Sequence, residues 1–139
     1  MPLFIKMIIY KGQNNKIGVT LKEKQTLTLS DFVFKFTNDM TGKSVTCTSQ
    51  DVSLYPDRIN IFYIAENNTP DPINAVVSLN PSGMWTYEIY EVPQASPKIL
   101  DISQSVAILE TGILIVKDIE SSVSTFNTDE DKNNSTFNG

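Results

Sequence analysis

The chain has 139 residues, 40 % of them hydrophobic and 19 % charged, with a net charge of −5. That suits a single domain with a real hydrophobic core. Histidine is absent and Cys47 is the one cysteine, which removes the commonest general base, His-activated nucleophiles, a zinc ligand set and any internal disulfide.

Charge is unevenly spread. Residues 1–60 hold eight Lys/Arg against five Asp/Glu, residues 61–100 one against four, and residues 101–139 two against seven. A basic surface on one copy meeting an acidic one on its neighbour is one reading of this asymmetry. No Lys/Arg cluster or basic stripe is present, so nucleic acid is not an expected partner. The N-terminal MPLFIKMIIYK is apolar but broken by Lys6, too short for a membrane span or a signal h-region.

In chain order, Leu3–Tyr10 reads as a first strand, followed by a turn at KGQNNK. Lys16–Leu21 and Thr26–Leu29 are short strand candidates around the charged KEKQ. In DFVFKFTND, Phe32, Phe34 and Phe36 alternate with Val33, Lys35 and Thr37, a clear strand. The turn-forming Asn38–Lys43 predicts that Ser44–Ser49 returns antiparallel, with Cys47 as a small buried residue. RINIFYIAE follows a Pro-Asp turn and puts Ile59, Ile61 and Tyr63 on one face. ENNTPDP is a loop, Ala75–Leu79 a strand, and NPSG a turn, so that Leu79 and Met84 would flank a four-residue hairpin.

Met84–Val92 is the next strand. Its alternation places Trp85, Tyr87 and Ile89 on one face and Thr86 and Glu88 on the other. VPQASP is a loop, KILDISQSVA holds at most one helical turn, and VAILETGILIVKD is two short strands or one long strand with a bulge or turn at Gly112. Eight or nine short strands with turns between them predict an all-β fold: an antiparallel β-sandwich, Ig-like or jelly-roll-like, over residues 1–119. Phe32, Phe34, Phe36, Trp85, Tyr87 and Ile89 are its expected core.

Residues 120–139 differ in kind. Val123, Phe126 and Phe137 are the sizeable apolar residues there, too few for a core, which predicts an extended polar tail. Ser-Thr-Phe-Asn at 124–127 recurs at 135–138, so Val123, Phe126, Asn127, Phe137 and Asn138 are candidate anchors, each Phe offered to a pocket on a partner.

No catalytic constellation emerges. Glu88 and Glu91 lie three apart in a strand and point to opposite faces, so they cannot flank one bond. Glu88 and Glu110 could meet only if their strands pair. Asp129-Glu130-Asp131 reads as a solvated charge run without an EF-hand pattern, and phosphate-binding and nucleophile-elbow motifs are absent. The expectation is a protein that is not an enzyme and holds no cofactor or metal.

The run Leu79-Asn80-Pro81-Ser82-Gly83-Met84-Trp85-Thr86-Tyr87-Glu88-Ile89-Tyr90-Glu91, then Leu109-Glu110-Thr111-Gly112 and Val116, resembles small virion proteins of bacterial viruses, particularly those of AT-rich Bacteroidetes-type hosts. Arg58–Ile64 resembles the middle strand of that family; the likeness covers residues 54–117 and does not extend to the tail. It implies a non-enzymatic β-sandwich that decorates or cements a capsid, or sits at a vertex, neck or tail. The implied partners are the major capsid protein or neighbouring subunits in a homo- or hetero-oligomeric assembly, without nucleic acid or membrane. The implied location is the virion, assembled in the host cytoplasm. An alternative from the residues alone is a carbohydrate-binding or adhesion module displaying Tyr55, Tyr63, Tyr90 or Trp85.

Overall fold

A computed structural model describes residues 6–55 and 58–118. The tail, residues 120–139, and with it the anchors Val123, Phe126, Asn127, Phe137 and Asn138, lies outside the described residues. So do Leu3–Ile5 of the expected first strand.

The fold is all-β. Its strands are β1 (Lys6–Tyr10), β2 (Asn14–Val19), β3 (Ser30–Asn38), β4 (Ser44–Ser49), β5 (Asn60–Glu66), β6 (Val76–Val77), β7 (Gly83–Pro93) and β8 (Ala107–Lys117). They form a five-stranded sheet of order β1-β8-β7-β3-β4 and a three-stranded sheet of order β2-β5-β6. The expectation of purely antiparallel pairing fails at two places: β1 runs parallel to β8, and β6 parallel to β5.

The two sheets share one core. Phe32, Phe34 and Phe36 from β3 and Trp85, Tyr87 and Ile89 from β7 are all buried in it, as expected, together with Phe62 and Ile64 from β5 and Ile17 and Val19 from β2. Phe62 bridges the sheets, its ring edge-on to Phe34 at 5.0 Å and to Phe32 at 5.5 Å. Such pairs add roughly 0.5–1.5 kcal/mol beyond the area they bury. Cys47 is part of the same core, and burial pushes its thiol pKa up to about 12. At pH 8 the native thiol is therefore protonated and shielded. Ellman's reagent should leave native protein unlabelled and titrate one thiol after unfolding; fast native labelling would contradict this packing.

Several local expectations are corrected. Asn14 and Asn15 belong to β2 rather than to the preceding turn, and Asn15 is buried, holding Tyr10 N–H on Oδ1 at 2.9 Å. Thr26–Leu29 is not a strand but a loop. Ala75–Leu79 shortens to Val76–Val77, with Ala75 in a left-handed conformation at φ 61°. The hairpin around NPSG does not form, because β6 lies in the small sheet and β7 in the large one. Leu79 is buried, its N–H donating to Glu66 Oε2 at 2.9 Å, so the chain crosses between sheets there. Gly83 opens β7 at φ 123°, a backbone open to glycine and not to L side chains.

VAILETGILIVKD forms one long strand, β8. Its bulge is at Leu109, which has no partner between the pairs Ile89–Glu110 and Tyr90–Ile108, while Gly112 pairs regularly with Tyr87. On the outer face of the large sheet, Val33, Tyr90 and Val92 are covered by Ile99 and Ile102, the latter in the short 3₁₀ turn Ile102–Gln104.

Candidate functional site

Three long connections converge at one end of the molecule: residues 20–29 between β2 and β3, residues 50–55 and 58–59 between β4 and β5, and residues 94–106 between β7 and β8. The described chain ends at residue 118, beyond the far end of β8. A cleft of about 380 Å³ lies among the loops. Each loop lends it a glutamine: Gln25, Gln50 and Gln94. Lys22 and Thr28 come from the first loop, Lys98 from the third, and Asp31, Phe32 and Ser49 from the ends of β3 and β4.

The loops are held by buried polar side chains. Glu91, fully buried on the same face of β7 as Trp85, accepts hydrogen bonds from Thr26 N–H at 2.9 Å, Thr26 Oγ1 at 2.8 Å, Leu27 N–H at 2.9 Å and Ser30 Oγ at 2.8 Å. Burial raises its pKa, and these donors, which stabilise the anion, outweigh burial and bring it below the ordinary value. Asp51 works the same way in the second loop, accepting from Ser53 N–H at 3.0 Å and Asn60 Nδ2 at 2.6 Å. Burial pushes the Asp51 pKa up, and its hydrogen bonds more than reverse that. Asn60 in turn takes Leu21 N–H on Oδ1 at 2.8 Å, tying the second loop to the first. Asp31 reaches the third loop through Lys98 at 3.3 Å and Ala95 N–H at 3.4 Å.

The other carboxylates behave as anchors too. Glu66 accepts Gly12 N–H and Leu79 N–H, both at 2.9 Å. Glu110 accepts Tyr87 OH at 2.7 Å inside the core, and burial together with this bond pushes the Tyr87 pKa far above its ordinary value. β7 and β8 do pair, yet Glu88 and Glu110 lie on opposite faces: Glu88 is opposite Thr111 and holds Tyr90 OH at 3.0 Å. Among the described residues no group of three or more Asp, Glu or Cys side chains is placed to hold a metal ion, and no helix is long and apolar enough to cross a membrane.

Of the four aromatics considered for display, Trp85 and Tyr90 are buried, whereas Tyr55 and Tyr63 are exposed. Tyr63 lies with Val52 and Ile73 on a second depression of about 290 Å³, which shares Ser49, Gln50 and Lys98 with the three-loop cleft. The two depressions adjoin at the end of β4, the edge strand of the large sheet. Sequence reasoning placed turns or loops in the second and third connections, took Thr26–Leu29 of the first for a strand, and missed the cleft, because nothing local indicates which loops meet. The length of the three connections at one end, against short turns such as Lys11–Gln13 at the other, was the available signal. No protein-family model and no curated protein matches the chain.

Proposed function

We propose that this chain is a non-enzymatic structural protein of a bacterial virion, whose β body docks on the capsid as an auxiliary, decoration or vertex protein and whose residues 120–139 clamp a neighbouring subunit. The observation that carries the reading is the set of exposed apolar side chains that the loop between β4 and β5 displays within four residues: Val52 at 49 %, Leu54 at 87 % and Tyr55 at 66 % exposure. Single exposed apolar residues are ordinary, but three of them in one short loop mark a surface suited to cover by another protein. The carboxylates described above are engaged as structural acceptors, which is in keeping with a docking role.

An Ig-like form of the sandwich is part of this reading. The order β8-β7-β3-β4 corresponds to the G-F-C-C′ strands of a variable-type domain and β2-β5 to its B-E pair, with β1 added alongside β8.

Deleting residues 120–139 should leave the circular dichroism spectrum and unfolding midpoint of the body unchanged while removing the protein from purified particles. Truncated protein present in particles at full-length stoichiometry would show that the tail is no clamp.

A further inference from the structure

The three-loop cleft differs in chemistry from the apolar surface beside it, and we propose that it is a binding site for a neutral saccharide. Its lining carries three primary amides from three separate loops, Gln25, Gln50 and Gln94, together with Thr28. A carboxamide offers two N–H donors and a carbonyl acceptor in one plane, which matches a pair of adjacent sugar hydroxyls. Gln25 spends one N–H on Ser30 Oγ at 2.9 Å and keeps its carbonyl oxygen. Gln50 and Gln94 make no side-chain hydrogen bond among the described residues, so their full capacity is open to a ligand.

Charge within the lining balances. Lys22 and Lys98 stand against Asp31 and Asp51, and the Asp51 oxygens are already committed to Ser53, Ile61 and Asn60. A phosphate or a polyacidic ligand would find no net positive field, whereas an uncharged polyol loses nothing by that neutrality. Apolar contact comes from the adjoining depression, where Tyr63 is 43 % exposed. A pyranose has an apolar C–H face as well as a hydroxyl rim, and a half-exposed tyrosine beside planar amides serves both. The cleft's volume of about 380 Å³ falls within the range of small-molecule sites, roughly 300–1,000 Å³.

The loops are also set before any ligand arrives. Glu91, Asp51 and Asp31 fix one loop each through buried or half-buried hydrogen bonds, which reduces the ordering cost of binding. The proposal is independent of the virion reading, since the isolated protein carries the whole cleft.

The test uses the full-length chain on an array of neutral and acidic oligosaccharides, with titration of the best neutral hit. A parallel peptide array covers the rival ligand class. Neutral glycans should bind, and a Q50A/Q94A double variant should weaken the best of them by roughly ten- to a hundredfold. Both residues are exposed, so the fold, monitored by Trp85 fluorescence, should not change. Gln13→Ala at the opposite end should leave affinity unaltered. Absence of neutral-glycan binding, whether or not acidic glycans or peptides bind, equal affinity in Q50A/Q94A, or an equal loss in Gln13→Ala would each overturn the assignment.

Discussion

Trp85→Ala should cost about 3–5 kcal/mol of folding stability, a large share of the roughly 5–15 kcal/mol that holds a domain of this kind together. The indole is fully buried between the sheets, and its Nε1–H donates to Pro81 O at 2.9 Å. Truncation therefore opens a cavity and also removes the hydrogen bond that ties the indole to the Pro81 carbonyl. Across the strand, Trp85 sits opposite Asn38 on one side and Leu114 on the other, paired with both β3 and β8. The surrounding strands cannot close over the gap without breaking ladder hydrogen bonds. Urea denaturation measures the loss directly. In the intact protein, Trp85 emission should be blue-shifted and resistant to acrylamide until the unfolding transition. A loss under about 1 kcal/mol, or an indole quenched as readily as free tryptophan, would contradict a core role.

The burial of Trp85 was legible because period-two alternation sorts residues by face whatever the partner strand turns out to be. The same logic recovered the β3–β4 hairpin, where Asn38 Oδ1 caps the turn by accepting Met40 N–H at 3.0 Å and Thr41 N–H at 2.8 Å, and Gly42 supplies a φ of 74°. It misled wherever partners are distant. TLTL at 26–29 alternates like a strand, but its first two N–H groups bond a carboxylate 64 or more residues away instead of a ladder. NPSG has the composition of a hairpin turn, yet Glu66 holds Leu79 to the small sheet, so the turn becomes a crossing between sheets.

Where both faces of a strand carry apolar residues, alternation sorts the residues but does not say which face is the core. Ile59, Ile61 and Tyr63 do share a face of the β5 segment, but the core side is the other one, formed by Asn60, Phe62, Ile64 and Glu66. The three-loop cleft depends on residues as far apart as Lys22 and Lys98. Only the tertiary structure brings such residues together.

Glu91→Gln should destabilise the protein by roughly 2–4 kcal/mol and release the first loop. The site is built from donors alone: two backbone N–H groups and two hydroxyls point at the carboxylate oxygens. An amide of the same shape turns an NH₂ group toward some of those donors, so a buried acceptor is replaced by a clash of like groups. Protonation has a related effect. The folded pKa of Glu91 lies below its ordinary 4.5 because its hydrogen bonds outweigh burial. The stabilisation is therefore complete above about pH 4.5 and is lost as pH falls through the lowered folded value. Wild-type stability should drop with acid across that window. Glu91→Gln should start lower and show a shallower drop, the remainder belonging to groups such as Asp51. Hydrogen exchange supplies the local readout: the Thr26 and Leu27 amides should be protected in wild type and exchange rapidly in the variant, with the β3 and β7 amides much less affected. Equal stability and continued protection of Thr26 and Leu27 in Glu91→Gln would show that another contact holds the loop. The outcome bears on function as well, because Gln25 and Thr28 reach the cleft only while that loop is in place. The same strand that supplies Trp85 to the core thus carries, at Glu91, the anchor on which one wall of the binding cleft depends.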